Sequence, residues 1–352
     1  MSTPINKAVR SYSDAASLVD LTPSINSIEN KWGLISGMNL FDDRGVTQRS
    51  IIVESRGETI GLIQDSPWGE RHHMVGSDDK YVTRSFAIPH FSIVDKIAPA
   101  DVQGRRAYGT ESEAETLANV RARKLNQFRN SMDITKEFLR MSAIKGTVVT
   151  PNGNLVSDLY ADFGVTQKVV DFTLGTDTTN LEAKIEEVIA HIQDNILTGA
   201  VIDDIVVPVS QEFFTKLVNH PKIAAAYASY MNTNQEAQRQ VLRDRLGSGL
   251  YRTFNHKGLT FVEYRGQYNF QGSTIRLIGA NDGYAVPMGT SGLFEGYYAP
   301  MDHMDFVNTI GEPAYALSYM DPRGMGEELF AEFNYLTINK RPQAVVKVTT
   351  SN

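Results

Sequence analysis

The longest regular pattern of apolar and polar positions lies between Thr110 and Gly146. Leu117, Val120, Leu125, Phe128, Met132, Phe138 and Leu139 form one broad stripe at helical spacing, and no proline or glycine interrupts the run. The pattern predicts a single helix. Thr110 and Glu113 have the spacing of a capping box, in which each side chain satisfies a backbone N–H that the first turn leaves unpaired. Gly146 stands where a left-handed residue closes a helix. At the usual rise such a helix is about 50 Å long, against a globular average of about three turns. Arg121, Arg123, Lys124 and Arg129 fall largely off the stripe, on a face expected to be solvated or to contact another subunit. The element reads as a spine that spans a domain.

Ahead of the spine the apolar positions thin out. In residues 1–40, Leu18, Leu21, Ile25, Ile28 and Trp32 are spaced among Ser, Asn and Thr, too sparsely for a core of their own. This segment reads as an arm that orders against something else. From Asn39 to Asp101 the signals are strand and turn. VTQRSIIVES and ETIGLIQ flank Ser55-Arg56-Gly57 as a hairpin. The polar stretch DSPWGERHHMVGSDDK follows, and then KYVTRSFAIPHFSIV alternates in part. A ribbon of about sixty residues with no helix to pack on is marginal in water and exposes its edges. It must fold back on this chain or lie on a neighbouring one, which is the first sign of an assembly.

After the spine, TVVT-PNGN-LVSDLY predicts a hairpin, with Asn152-Gly153 supplying the positive φ of the turn. A short strand and loop occupy residues 162–178. Thr179 and Glu182 have capping-box spacing, Leu181, Ile185, Val188, Ile189, Ile192 and Ile196 repeat at helical intervals, and Gly199 marks an end. This second helix is available to pack on the spine. Val201 to Met320 reads as a separate α/β unit. DDIVVPVS is a buried strand, Ser210 caps a helix bearing Phe213, Phe214 and Leu217, and Pro221 opens another through Ala224, Tyr227 and Met231. The charged run 232–249 leaves a solvated helix and a loop both open. LYRTF-NHKG-LTFVEY is a hairpin, and TIRLIG and GYAVPMG add strands. PAYALSYMD, ELFAEFNYLTIN and RPQAVVKVTTS then return to strand pattern and are expected to rejoin the spine domain, around an inserted unit.

Composition narrows the function. The chain has 352 residues, 41 % of them hydrophobic, enough for two domains or one elaborated one. A net charge of −7, with both signs interspersed, argues against gripping nucleic acid, which needs clustered Lys and Arg. It does not argue against enclosing it. There is no cysteine, hence no disulfide, thiolate nucleophile or cysteine metal site. MSTPINKAVRSYSD lacks the apolar core of a secretory signal, and no run reaches the ~18 apolar residues of a membrane span, so the expectation is a soluble protein made in a cytosol.

Candidate chemistry is sparse. His72 and His73 are neighbours, and neighbours on a strand face opposite ways. Asp302-His303-Met304-Asp305 is the most site-like cluster, with three potential metal ligands in four residues, but no partner motif accompanies it. Ser248 in LGSGL lacks the G-x-S-x-G order of a nucleophile elbow, and Gly324-Met325-Gly326 is a turn with no G-K-[ST] after it. No catalytic, cofactor-binding or metal residue is assigned, and a structural role is favoured.

The order of elements resembles the major capsid protein of tailed phages, the Hong Kong phage fold shared with encapsulins. RSFAIPHFSIVDKIAPADVQGRRAYG, LNQFRNSMDITKEFLRMSAIKGTVV, PNGNLVSDLYADFGVTQ and INKRPQAVVKV resemble the lambda-type family called major capsid protein E, over about residues 40 to 350. The resemblance implies an α+β fold with an N-terminal arm (1–40), an extended β-ribbon loop (41–101), a peripheral domain carrying the long spine helix (102–200 and 321–352) and an inserted axial domain (201–320). It implies a subunit that assembles with itself through pentamers and hexamers into an icosahedral head around double-stranded DNA, in the host cytoplasm, with no cofactor and no membrane. Scaffold, portal and decoration proteins are the further partners it implies. It supplies no motif for a Lys–Asn cross-link. Two rivals remain at this stage: an encapsulin-like compartment, and a metal-dependent hydrolase using Asp302, His303 and Asp305 with His72 or His73.

Overall fold

The computed structural model describes residues 18–28, 33–56, 81–103, 116–196, 201–233 and 251–351. Two six-stranded sheets organise these residues. The first contains β1 (Leu18–Asp20), β2 (Asp42–Gly45), β5 (His90–Ile97), β15 (Phe294–Tyr298), β16 (Tyr315–Met320) and the 13-residue β17 (Glu327–Asn339). β17 is its hub, pairing antiparallel with β5, β15 and β16. The second runs in the order β10 (Thr253–His256), β11 (Leu259–Glu263), β9 (Asp204–Val209), β14 (Asp282–Met288), β18 (Val346–Thr349), β8 (Lys168–Asp171). Three hairpins complete the strands: β3 (Ser50–Arg56) with β4 (Tyr81–Ala87), β6 (Thr147–Val149) with β7 (Leu155–Asp158), and β12 (Gln267–Phe270) with β13 (Ser273–Arg276).

The spine is α4 (Leu117–Lys145), 29 residues and so about 43 Å long. Its cap is Thr116, whose side chain accepts from the Asn119 N–H at 3.2 Å. The helix therefore starts later than the Thr110–Glu113 pattern suggests, and those two residues lie outside the described ones. Gly146 closes it at φ 84°, against the ring of Tyr160. Val120, Leu125, Phe128, Met132 and Leu139 are buried along the predicted stripe, against α1 (Thr22–Asn26) and the first sheet. Every residue from Leu139 to Ile144 is buried, because this end runs between the two sheets. The basic residues off the stripe are not a free face. Arg121 forks onto Glu327 at 2.9 Å through two nitrogens, Lys124 pairs with Asp95, and Arg129 bonds Asp133 and Asn26.

Several expectations shift. The arm from Leu18 onward docks on its own chain: β1 pairs with β16, and Leu21 and Ile25 are buried in the first-sheet core. Trp32 lies outside the described residues. The ribbon is shorter than residues 41–101, because β2 and β5 belong to the first sheet and α3 (Pro99–Val102) packs on α4. Ser55 and Arg56 are strand residues rather than a turn, and the partner of β3 is β4, with Arg56 opposite Tyr81. ETIGLIQ lies outside the described residues. The cap of α6 (Leu181–Asn195) is Asn180, not Thr179, whose hydroxyl bonds Thr173, while Glu182 pairs with Lys257. The helix stops at Asn195, short of Gly199, and packs on the second sheet instead of the spine.

That second core is aromatic. Phe172, Phe213 and Phe261 lie within 6.5 Å of one another, and Leu181, Ile185, Val188 and Ile192 of α6 close over them. α7 (Gln211–Asn219), capped as predicted by Ser210, and α8 (Pro221–Thr233) pack into the same core. The largest difference concerns the ends of the inserted unit. β18 lies between β14 and β8, so the last tail strand joins the second sheet. β15 and β16, from within 201–320, join the first. Ladder hydrogen bonds therefore cross both expected boundaries, 200/201 and 320/321. α2 (Leu34–Gly37) and α5 (Leu159–Phe163) fill the junction, where Leu34, Ile35, Ile144, Val206, Val286 and Leu336 share one apolar cluster.

Candidate functional site

Helix α4 carries charge into its buried half. Asp43, on the outer strand β2, meets it there. The Asp43 carboxylate accepts from Lys136 Nζ at 2.6 Å, Arg140 at 2.8 Å and Tyr298 OH at 3.0 Å on one oxygen, and from Tyr335 OH at 2.7 Å on the other. Burial alone would raise this carboxyl. Arg140 and Lys136 outweigh it and hold Asp43 below the usual carboxylate range. Desolvation, with Arg140 alongside, pulls Lys136 down to about 8 despite its Asp43 partner. Tyr298 and Tyr335 stack at 4.7 Å, and burial pushes both phenols far up, so they remain donors. One helical position on, Glu137 turns to the other side and accepts from Ile35 N, Ser36 N, Ser36 Oγ and Tyr264 OH. These two carboxylates fasten α4 to the N-terminal segment and to both sheets.

The β3–β4 ribbon stands on this base. Ile51, Val53 and Phe86 are buried in the junction cluster, whereas Ile52, on the opposite face, is 60 % exposed. Arg84 lies over the Phe163 ring and donates to the Asp162 carbonyl, so the ribbon is clamped near its foot to the C-terminal end of α5.

Of the residues weighed for metal chemistry, His72 and His73 lie outside the described ones, as does Ser248. Asp302 pairs with Arg49 at the surface. His303 has both ring nitrogens engaged: Nδ1 accepts from the Asp305 N–H at 3.3 Å, and Nε2 lies 3.0 Å from Tyr319 OH. It caps the short turn Met304–Phe306, and no three His, Asp or Glu converge as a metal site among the described residues. Gly324 and Gly326, both at positive φ, form the β16–β17 turn. Among the described residues, the buried carboxylates Asp43 and Glu137 hold segments together. Sequence reasoning missed Asp43, Lys136, Glu137 and Arg140. Their signal was charge at positions 136, 137 and 140 directly beside Phe138, Leu139 and Met141.

Comparison with known proteins gives the family. The model of phage major capsid protein E matches residues 17–350. The chain is 39 % identical over 340 residues to the major capsid protein of Pseudomonas phage KPP10, covering 93 % of this chain and 95 % of that one. It is 33 % identical over 352 residues to that of Salmonella phage Felix O1, covering 94 % and 95 %. The fold is similar to a structure described as a prophage capsid protein of E. coli CFT073, at 14 % identity and TM-score 0.59, over 95 % of this chain and 100 % of that one. It is also similar to the mature capsid of bacteriophage PhiM1, at 12 % identity and TM-score 0.52, over 93 % and 90 %. The mixed α/β architecture is that of tailed-phage capsid proteins. The resemblance seen in the sequence is therefore correct, and neither the cargo compartment nor the hydrolase stands beside it. The chain belongs to the phage major capsid protein E family, and is a structural protein of the tailed-phage head shell rather than an enzyme.

Proposed function

We propose that the subunit builds its shell by laying the β3–β4 ribbon across an adjacent copy, as an extension loop. The observation that carries this reading is the division of the ribbon: its foot is fixed in the junction core by Ile51, Val53 and Phe86, while β3 and β4 run out to Arg56 and Tyr81. A fixed foot aims the ribbon, and a ribbon placed on the next copy is a head-to-tail contact, the kind that closes into rings. In this reading the rings are hexamers and pentamers. The second-sheet unit, residues 168–288 with 342–350, is the axial domain. The first sheet with α4 is the peripheral domain, and residues 1–40 are the arm. In place of boundaries at 200 and 320, these limits keep the second sheet whole, and β1 of the arm adds an edge strand to the first. The icosahedral shell encloses double-stranded DNA without gripping it, consistent with the net charge of −7. Scaffold, portal and decoration proteins are its further partners.

The test is to delete residues 57–80 and keep both ribbon strands. A deletion from Ser50 to Arg84 is unsuitable, because it removes the core residues Ile51 and Val53. Sedimentation velocity and electron microscopy should show closed shells or rings for the intact chain, expressed with its phage's scaffold protein. The deletion should give folded subunits that fail to close. Complete shells from the deletion would overturn the assignment of the ribbon.

A further inference from the structure

Glu137 is 0 % exposed and has four donors. Oε1 accepts from the Ile35 N–H at 2.8 Å and the Tyr264 OH at 2.8 Å; Oε2 accepts from the Ser36 N–H at 2.9 Å and Ser36 Oγ at 2.7 Å. All four are neutral groups, since Lys136 and Arg140 are directed to Asp43. A buried carboxylate held this way depends on its full set, because each lost donor exposes more of its desolvation penalty. The donors come from two places. Three belong to the first turn of α2, in the N-terminal segment. The fourth follows β11 in the second sheet, where the Tyr264 N–H bonds the Val209 carbonyl at 2.9 Å. Burial and the adjacent Glu137 push the Tyr264 phenol far above its ordinary range, so it stays a donor.

We propose that Glu137 is a coupling latch, through which the docking of residues 33–38 and the seating of the second sheet on α4 depend on one another. Ile35 N, Ser36 N and Ser36 Oγ lie within one turn, so lifting the segment withdraws all three together. Glu137 then keeps Tyr264 alone and is opened to water on the side the segment covered; water competes for its oxygens, and that contact loosens. The reverse also holds, because coupling between two contacts is reciprocal. Packing reinforces the link: Leu34 and Ile35 share one apolar cluster with Val262 and Tyr264. Gly33 fixes the approach. Its φ is 93°, and a Cβ there would overlap the Glu137 carboxylate. The position of the N-terminal segment is thereby transmitted through the spine helix to the second sheet. This goes beyond the proposed assembly mode and stands within one subunit whether or not the ribbon reading holds.

The test is hydrogen exchange on the full chain, comparing wild type with Ser36→Ala, Tyr264→Phe and the double variant at matched assembly state. Ser36→Ala should speed exchange in peptides covering 259–266 on the order of tenfold, as expected for one hydrogen bond to a charged group. Tyr264→Phe should do the same to residues 33–38, and the double variant should add less than the two effects combined. α7 should be unchanged. Effects confined to each variant's own segment would overturn the latch, and so would a uniform rise that includes α7. Each variant removes one hydroxyl and keeps the Glu137 side chain, so the test does not depend on whether Glu137→Gln folds.

Discussion

Asp43 satisfies two cations and two phenols from a strand at the margin of the first sheet. Removing it leaves Lys136 and Arg140 buried without their carboxylate, a change that costs about 3 kcal/mol where one partner of a buried pair is lost. Asp43→Ala should lower the urea-unfolding free energy by about that amount. Lys136 gives a pH dependence whose sign is fixed by desolvation. Its folded value of about 8 lies below the unfolded value of ~10.4, so between these the folded chain binds fewer protons. Its charged form therefore opposes folding below pH 8, and the opposition fades as pH rises toward 10. Unfolding measured at pH 7, 8 and 9.5 should show wild type gaining on Lys136→Met by up to about 1.4 kcal/mol per pH unit above pH 8. A difference that stays flat over that range would mean that the amine is not desolvated. None of this was legible in the sequence, because a carboxylate at 43 and cations at 136 and 140 carry no local sign that they meet.

At the scale of elements, legibility followed how local the cause is. Gly146, Ser210, Asn152-Gly153 and Lys257-Gly258 act within one turn of chain, and each sits where the pattern placed it. The cap of α6 missed by one residue because Thr179 and Asn180 are both good caps, and Thr179 is taken by Thr173. The stripe on α4 was correct as far as Leu139. Beyond it the helix is enclosed on every side, which a one-faced pattern does not announce. Gly146→Ala tests the helix end. It forces a side chain into a left-handed conformation and against Tyr160, and should cost at least about 1 kcal/mol in thermal or urea unfolding. Partners distant in sequence were the least legible. β3 is followed by a plausible local mate, yet pairs with a strand that begins 25 positions after its own last residue, at Tyr81.

For the whole molecule, the tail was the main surprise. Val346 to Thr349 look like one more strand beside β16 and β17, but lie between β14 and β8 in the other sheet. Strand pattern reports burial, not address: both sheets offer apolar neighbours, and the chain turns through Pro342–Ala344 before β18 joins the second. A chain ending at Arg341 should therefore lose the second core while keeping the first. Limited proteolysis should cut within α7 and α8 and spare β16 and β17. Equal resistance in both regions would show that β8 and β14 close up without β18. The same interlacing bears on loading. A shell wall carries tension in its own plane, and β17 holds β5, β15 and β16 along 13 residues. Pulled lengthwise, it must shear its ladders together, whereas a pull across it opens them one bond at a time. The first sheet is thus stiff along β17 and compliant across it, a grain set into every subunit.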